Sequence, residues 1–101
     1  MNIIKYDFNG YVIDFNDDGW INTTNAAKRF NKEPAQWFRL PETIKYITAL
    51  KSKYGNITYL KSKRGKYNGG TWIHPKLAVR LARWLSVDFE IWCDEQIDRA
   101  N

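Results

Sequence analysis

Cysteine is almost missing from this chain: Cys93 stands alone among 101 residues, so no intrachain disulfide can form and no thiolate cluster is available for zinc. Histidine is equally scarce, with only His74, and neither residue has a metal-ligating neighbour at the spacing that zinc sites use. With one His, one Cys and no Gly-Lys-Ser/Thr phosphate loop, the chain lacks both a paired nucleophile and base and a cradle for nucleotide hydrolysis. The adjacent acids Asp17-Asp18 and Asp94-Glu95 are the formal candidates for the magnesium a nuclease needs, but acids in a turn or on an outward helix face are ordinarily just solvated. The expectation is a chain with no catalytic residue, no metal and no cofactor. No apolar run approaches the roughly twenty residues of a membrane span, and the first residues carry no signal-peptide apolar core. These absences point to a reducing, cytoplasm-like compartment and to a partner other than a membrane.

Negative charge is also missing, but only locally. Residues 28 to 83 hold fourteen Lys or Arg against Glu33 and Glu42, a net +12, while residues 1 to 27 carry −3 and residues 84 to 101 carry −4. A field divided in this way draws a polyanion toward the middle of the chain. Apolar residues make up 44% of the sequence and aromatics 16%, which is enough for one compact core and too little for two domains. One domain over residues 1–101, of a size that a longer protein could carry, is the expectation.

Turn and cap residues lay out an α+β order. Asn9-Gly10 supplies the two positive φ angles of a tight hairpin between strands at 3–8 and 11–15. Asp17-Asp18-Gly19 makes a second turn into a short strand at Trp20-Ile21. Asn22, Thr23 and Thr24 are three candidate N-caps for a short helix burying Ala26, Ala27 and Phe30, and Asn31 suits a left-handed exit from it. Pro34 opens a second short helix with Trp37 and Phe38. Pro41 opens a third, to about Lys53, whose stripe Ile44, Ile47, Leu50 and Tyr54 is expected to face the core, with Gly55-Asn56 ending it. Strand-like residues at 57–61 and 71–73 predict a second hairpin. Pro75 starts a fourth helix with apolar Ala78, Leu81, Ala82 and Leu85 opposite Lys76, Arg80 and Arg83, and Ser86 caps a fifth, at about 87–99, burying Phe89, Trp92, Cys93 and Ile97. His74 closes the junction between strand and helix through a backbone hydrogen bond. The five tryptophans read as core anchors, Trp37 being the one most open to another role.

The segment between the last two strands carries the strongest functional signal. Lys61, Lys63, Arg64 and Lys66 crowd a turn made pliable by Gly65, Gly69 and Gly70, a shape that fits along a DNA minor groove. Tyr67 and Asn68 are placed to stack on a base or bond a base edge. Lys28, Arg29, Lys32 and Lys45 supply phosphate contacts from the helices, and Gln36 and Arg39 are candidates to read adenine and guanine. Exposed lysines also serve plain solubility and block edge pairing of strands. A protein-interaction module docking an acidic partner or a repressor is the second reading, and RNA binding a third, weakened by the lack of an aromatic sheet motif.

Several of these stretches together resemble a known family. Gly19-Trp20-Ile21-Asn22-Thr23-Thr24, Phe30-Asn31-Lys32, Trp37-Phe38-Arg39-Leu40, Gly69-Gly70-Thr71-Trp72-Ile73-His74-Pro75 and Leu81-Ala82-Arg83-Trp84-Leu85-Ser86 resemble the KilA-N domain of phage, prophage and large DNA virus proteins, itself similar to the fungal APSES domain. The resemblance implies a small winged helix-turn-helix-like α+β fold that binds double-stranded DNA, with the hairpin near 57–73 as its wing and residues 61 to 68 as the wing tip. It also implies a regulator of the antirepressor kind, working in the host cytoplasm, joined in relatives to a C-terminal domain or acting with a second regulator protein. Asn31 stands where many relatives have Gly, and Thr23 where many have Ala. Both substitutions suit their positions, since Asn tolerates left-handed geometry and Thr is acceptable near a cap.

Overall fold

Residues 2–55, 59–63 and 69–100 are described by the computed structural model of the chain. Asn9 and Gly10 adopt φ of 50° and 90°, the geometry of a tight hairpin turn, and join β1 (Ile3–Phe8) to β2 (Tyr11–Asn16) with Phe8 opposite Tyr11. The next turn is built around one side chain: Asn16 Oδ1 accepts hydrogen bonds from the backbone N–H groups of Asp18 and Trp20, both at 2.9 Å. The chain then enters β3 (Ile21–Asn22), which pairs with β2 on one side and β5 (Gly70–Ile73) on the other, and β4 (Leu60–Lys63) completes the edge. The sheet order is β1-β2-β3-β5-β4, antiparallel throughout.

The described residues also form five helices. They are α1 (Thr23–Arg29), α2 (Pro34–Phe38), α3 (Pro41–Tyr54), α4 (Pro75–Leu85) and α5 (Val87–Ala100). Each of the three prolines opens a helix, where its fixed φ is pre-set and its missing N–H is not needed. Asn31 does take up left-handed geometry, at φ 56°, and Gly55 ends α3 at φ 85°. Ser86 caps α5 by accepting the Phe89 N–H at 2.9 Å.

Strand alternation places Tyr6, Phe8, Ile13, Phe15, Ile21 and Ile73 on one sheet face, and α1 and α5 cover it. Phe8 meets Phe89 at 5.0 Å and Trp92 at 5.2 Å between ring centroids, while Phe30 of the α1 exit stands 5.3 Å from Phe89. Each such ring contributes about 2–3 kcal/mol by leaving water, so this aromatic cluster dominates the stability of a small domain. Ala26 and Ala27, fully buried, let α1 approach closely, and Ala78, Leu81, Ala82 and Leu85 are the buried stripe of α4.

The structure corrects three expectations. On α3 the core-facing stripe is buried Thr43 and Leu50 with half-buried Ile47; Ile44 is 53% exposed and Tyr54 45% exposed, rather than both facing the core. One residue is 100° of helix, so a stripe begun at 43 instead of 44 turns Ile44 to solvent, and the Tyr54 ring finds cations instead, with the Lys76 ammonium 4.4 Å from its centroid. The strand expected at 57–61 is β4 at Leu60–Lys63; Tyr59 is buried just before it, and residues 56–58 lie outside the described residues. The short strand begins at Ile21, and Trp20, Trp84 and Trp92 are only partly buried, whereas Trp37 and Trp72 are buried outright.

His74 holds the β5–α4 junction as anticipated. Its Nδ1 accepts the Lys76 N–H at 3.0 Å, and its own N–H donates to the Tyr59 carbonyl at 3.0 Å. Burial, with the Lys76 charge adding to it, lowers its pKa from the ordinary 6.5. The unfolded chain therefore binds this proton more readily, so the His74 contribution to stability is complete above the ordinary value, declines once the pH falls below it and is gone below the lowered folded value. In thermal melts from pH 7.5 to pH 5, the wild type should lose more stability than His74→Asn, whose amide caps the helix without titrating; parallel losses would refute the assignment. Burial, and secondarily Asp94, pushes the Cys93 thiol up to about 12. Iodoacetamide should accordingly label Cys93 only as the protein opens, at a rate that rises with denaturant; rapid labelling of the native protein would contradict its placement in the core.

Candidate nucleic-acid interface

The start of α1 and the root of the β4–β5 hairpin are bound together by three consecutive side chains. Asn22, only 3% exposed, uses both ends of its amide: Oδ1 accepts the Asn25 N–H at 3.1 Å and so caps α1, while Nδ2 donates to the Gly69 carbonyl at 3.0 Å. Thr23 Oγ1 donates to the Thr71 carbonyl at 2.7 Å, and Thr24 Oγ1 accepts the Thr71 N–H at 3.1 Å. Of the three candidate caps, Asn22 is thus the cap and the two threonines are bolts to the hairpin. Gly70 makes the close approach possible. Its φ is 125°, and a Cβ there would stand 2.8 Å from Asn22 Oδ1 and 3.2 Å from Thr24 Cβ.

From this clasp a groove runs along α1, lined by Thr24, Lys28, Asn31, Lys32, Glu33 and Pro34. Thr24 and Lys28 are four residues apart and therefore share a helix face, so the exposed Lys28 ammonium continues the surface that the hairpin root begins. Thr24 and Asn31 were read from the sequence as a cap candidate and a helix exit, not as residues of the binding surface; the signal for Thr24 was its i, i+4 relation to Lys28.

The remaining candidates are placed less uniformly. Lys61 on β4 lies over the Trp20 ring, its ammonium 4.6 Å from the centroid, and Lys63 contributes its backbone to the same strand. Lys32 donates to the Trp84 carbonyl at 2.9 Å and sits 4.6 Å from that indole, joining the groove to α4. Arg29 turns away from Lys28 to stack on Tyr11 at 3.8 Å, and its buried Nε has no hydrogen-bond partner among the described residues. Gln36 and Arg39 are exposed at α2, and Lys45 is exposed on α3. Arg64, Lys66, Tyr67 and Asn68 lie outside the described residues. The structure therefore brings Lys28 and Lys32 into one groove beside the hairpin root, and sets Arg29 and Lys45 apart from it.

The KilA-N domain profile matches residues 4–101. The chain belongs to the KilA-N domain family. It is 34% identical over 88 residues to KilA-N domain-containing protein R904 of Acanthamoeba polyphaga mimivirus, an alignment covering 79% of this chain and 25% of that protein. This KilA-N domain thus spans about a quarter of the length of the relative it matches. No solved structure matches the chain. The matched region contains the whole clasp and groove, so these features belong to the domain and not to an appendage of it.

Gly70 provides the test of the clasp. Gly10 also has a left-handed φ, of 90°, but open space around it, so Gly10→Ala reports backbone strain alone. Gly70→Ala adds displacement of Asn22, and should cost about 1–2 kcal/mol more than Gly10→Ala in denaturant unfolding. Equal losses would show that the contact to Asn22 carries no weight.

Proposed function

We propose that this KilA-N domain is a sequence-preferring double-stranded DNA-binding domain of a phage, prophage or viral regulator of the antirepressor kind, with no catalysis of its own. The observation that carries the proposal is the clasp. It ties β5, through Gly69 and Thr71, to the N-terminus of α1, so that the strand that carries one side of the basic hairpin adjoins the helix that carries Lys28. In a winged helix-turn-helix reading, the β4–β5 hairpin is the wing, and α1 with α2 forms the helical part that lies against the duplex. Family membership and the +12 middle segment support the same reading.

Roles divide by chemistry. Lys28, Lys63 and Lys66 neutralise phosphates, Lys61 does so on leaving the Trp20 ring, and exposed Gln36 and Arg39, with Arg64 and Asn68 from the segment between β4 and β5, read groove edges. Lys32 is held by Trp84 and serves chiefly to fix the groove wall, while Arg29 anchors α1 to the β1–β2 hairpin. No helix among the described residues is long and apolar enough to cross a membrane. The place of action would be the host cytoplasm.

Counterion release makes the proposal quantitative. If about four phosphates are neutralised, affinity for duplex DNA should fall roughly a hundredfold as salt rises from about 50 to about 200 mM. Replacing Lys61, Lys63, Arg64 and Lys66 together with Gln should preserve a cooperative melt, flatten that salt dependence and weaken binding by at least about tenfold. Undiminished binding by this variant, read by fluorescence anisotropy, would place the site elsewhere on the molecule.

A further inference from the structure

Two helices of the domain carry exposed faces that complement each other. On α5, Val87 and Ile91 are 66% and 56% exposed, and exposed Asp94 follows them at the i, i+4, i+7 spacing that defines one helix face. On α3, Ile44 at 53% exposure, then Thr48 and Lys51, both exposed, repeat that spacing. The charges that flank the two faces are opposite. Glu95 and Asp98 lie exposed beside the α5 stripe, and Lys45 beside the α3 stripe that Lys51 ends. No ion pair engages any of these acids or lysines among the described residues, unlike Glu90, which Arg83 holds at 2.7 Å.

We propose that the α5 face of one copy of this domain docks on the α3 face of a second copy. Laid parallel, the helices set Val87 and Ile91 against Ile44 and the methyl of Thr48, with Asp94 meeting Lys51 one turn further on. Such a contact joins two different surfaces, so it does not close on itself: it adds copies head to tail and leaves one α3 and one α5 unfilled at the ends of a row. Two apolar side chains and a few charge pairs per copy make an interface of the small, transient class. Free copies should therefore associate weakly, and copies held on neighbouring stretches of a duplex should associate strongly because tethering raises their effective concentration. The pairing itself involves no DNA contact and stands independently of the DNA-binding reading.

The test is charge reversal without DNA. Sedimentation equilibrium of the wild type in low salt, at up to hundreds of micromolar, should show a mass that rises beyond two chains, and added salt should reverse the rise. D94K/E95K gives a chain with two basic faces, and K45E/K51E gives a chain with two acidic faces. Each alone should remain monomeric with an unaltered melt, since the positions are exposed, while an equimolar mixture should recover association. Ile91→Asp should abolish association without unfolding the domain. A monomeric wild type, variants that still associate, a mixture that stays monomeric, or a species that stops at two chains would each overturn the proposal.

Discussion

The domain depends on a buried amide. Asn22 is at once the last residue of β3, the cap of α1 and a donor to the hairpin root, and these three duties require both ends of its side chain in fixed positions. Removing that amide would leave the Asn25 N–H and the half-buried Gly69 carbonyl without their partner, at a cost of up to about 1 kcal/mol each. The two threonines that follow would lose their register with Thr71. β5 is thereby tied to α1 as well as to β3. Gly70 is the necessary counterpart, because any larger residue would occupy the space that Asn22 needs.

The same constraint explains how a strand only two residues long can organise a five-stranded sheet. β3 has too few ladder bonds to be stable by itself, yet it lies between β2 and β5 and is continuous with α1. Asn16 fixes its approach through two backbone N–H groups, and Asn25 reaches back from α1 to accept the Asp14 N–H and donate to the Val12 carbonyl. Asparagine side chains thus supply at 16, 22 and 25 the backbone pairings that a longer strand would have made. Behind them, the cluster of Phe8, Phe15, Phe89 and Trp92 supplies the apolar burial that holds the layers together.

Much of the fold was legible because its punctuation is local. Asn9-Gly10, Pro34, Pro41, Pro75, Asn31 and Ser86 each act through the φ they prefer or the neighbouring N–H they bind, and such preferences are readable without knowing what lies across the core. The α3 stripe was not, because Ile44 is a good core residue by type; only packing against α2 decides that Thr43, at 2% exposure, turns inward in its place. For the candidate site, the basic hairpin and Lys28 could be read from charge. The clasp could not, since it pairs residues nearly fifty positions apart, and nothing in Asn22-Thr23-Thr24 distinguishes a cap from a bolt.

Net charge also proves a poor count of available contacts. Within the +12 segment, Arg29, Lys32, Lys61, Lys76 and Arg80 lie over the rings of Tyr11, Trp84, Trp20, Tyr54 and Tyr46. A cation on an aromatic face keeps its charge and loses its freedom. Each still contributes to the field that guides a polyanion, because that field depends on charge and distance alone. Each also costs more to redirect onto a phosphate, since the ring contact must first be given up. With a screening length of about 8 Å at physiological salt and a body 37 Å long, a polyanion responds chiefly to its nearest cations. On the proposed reading, attraction would draw on many cations, whereas a bound register would be set by the few that are unpinned, and this favours Lys28 over Arg29 although the two are adjacent in the chain.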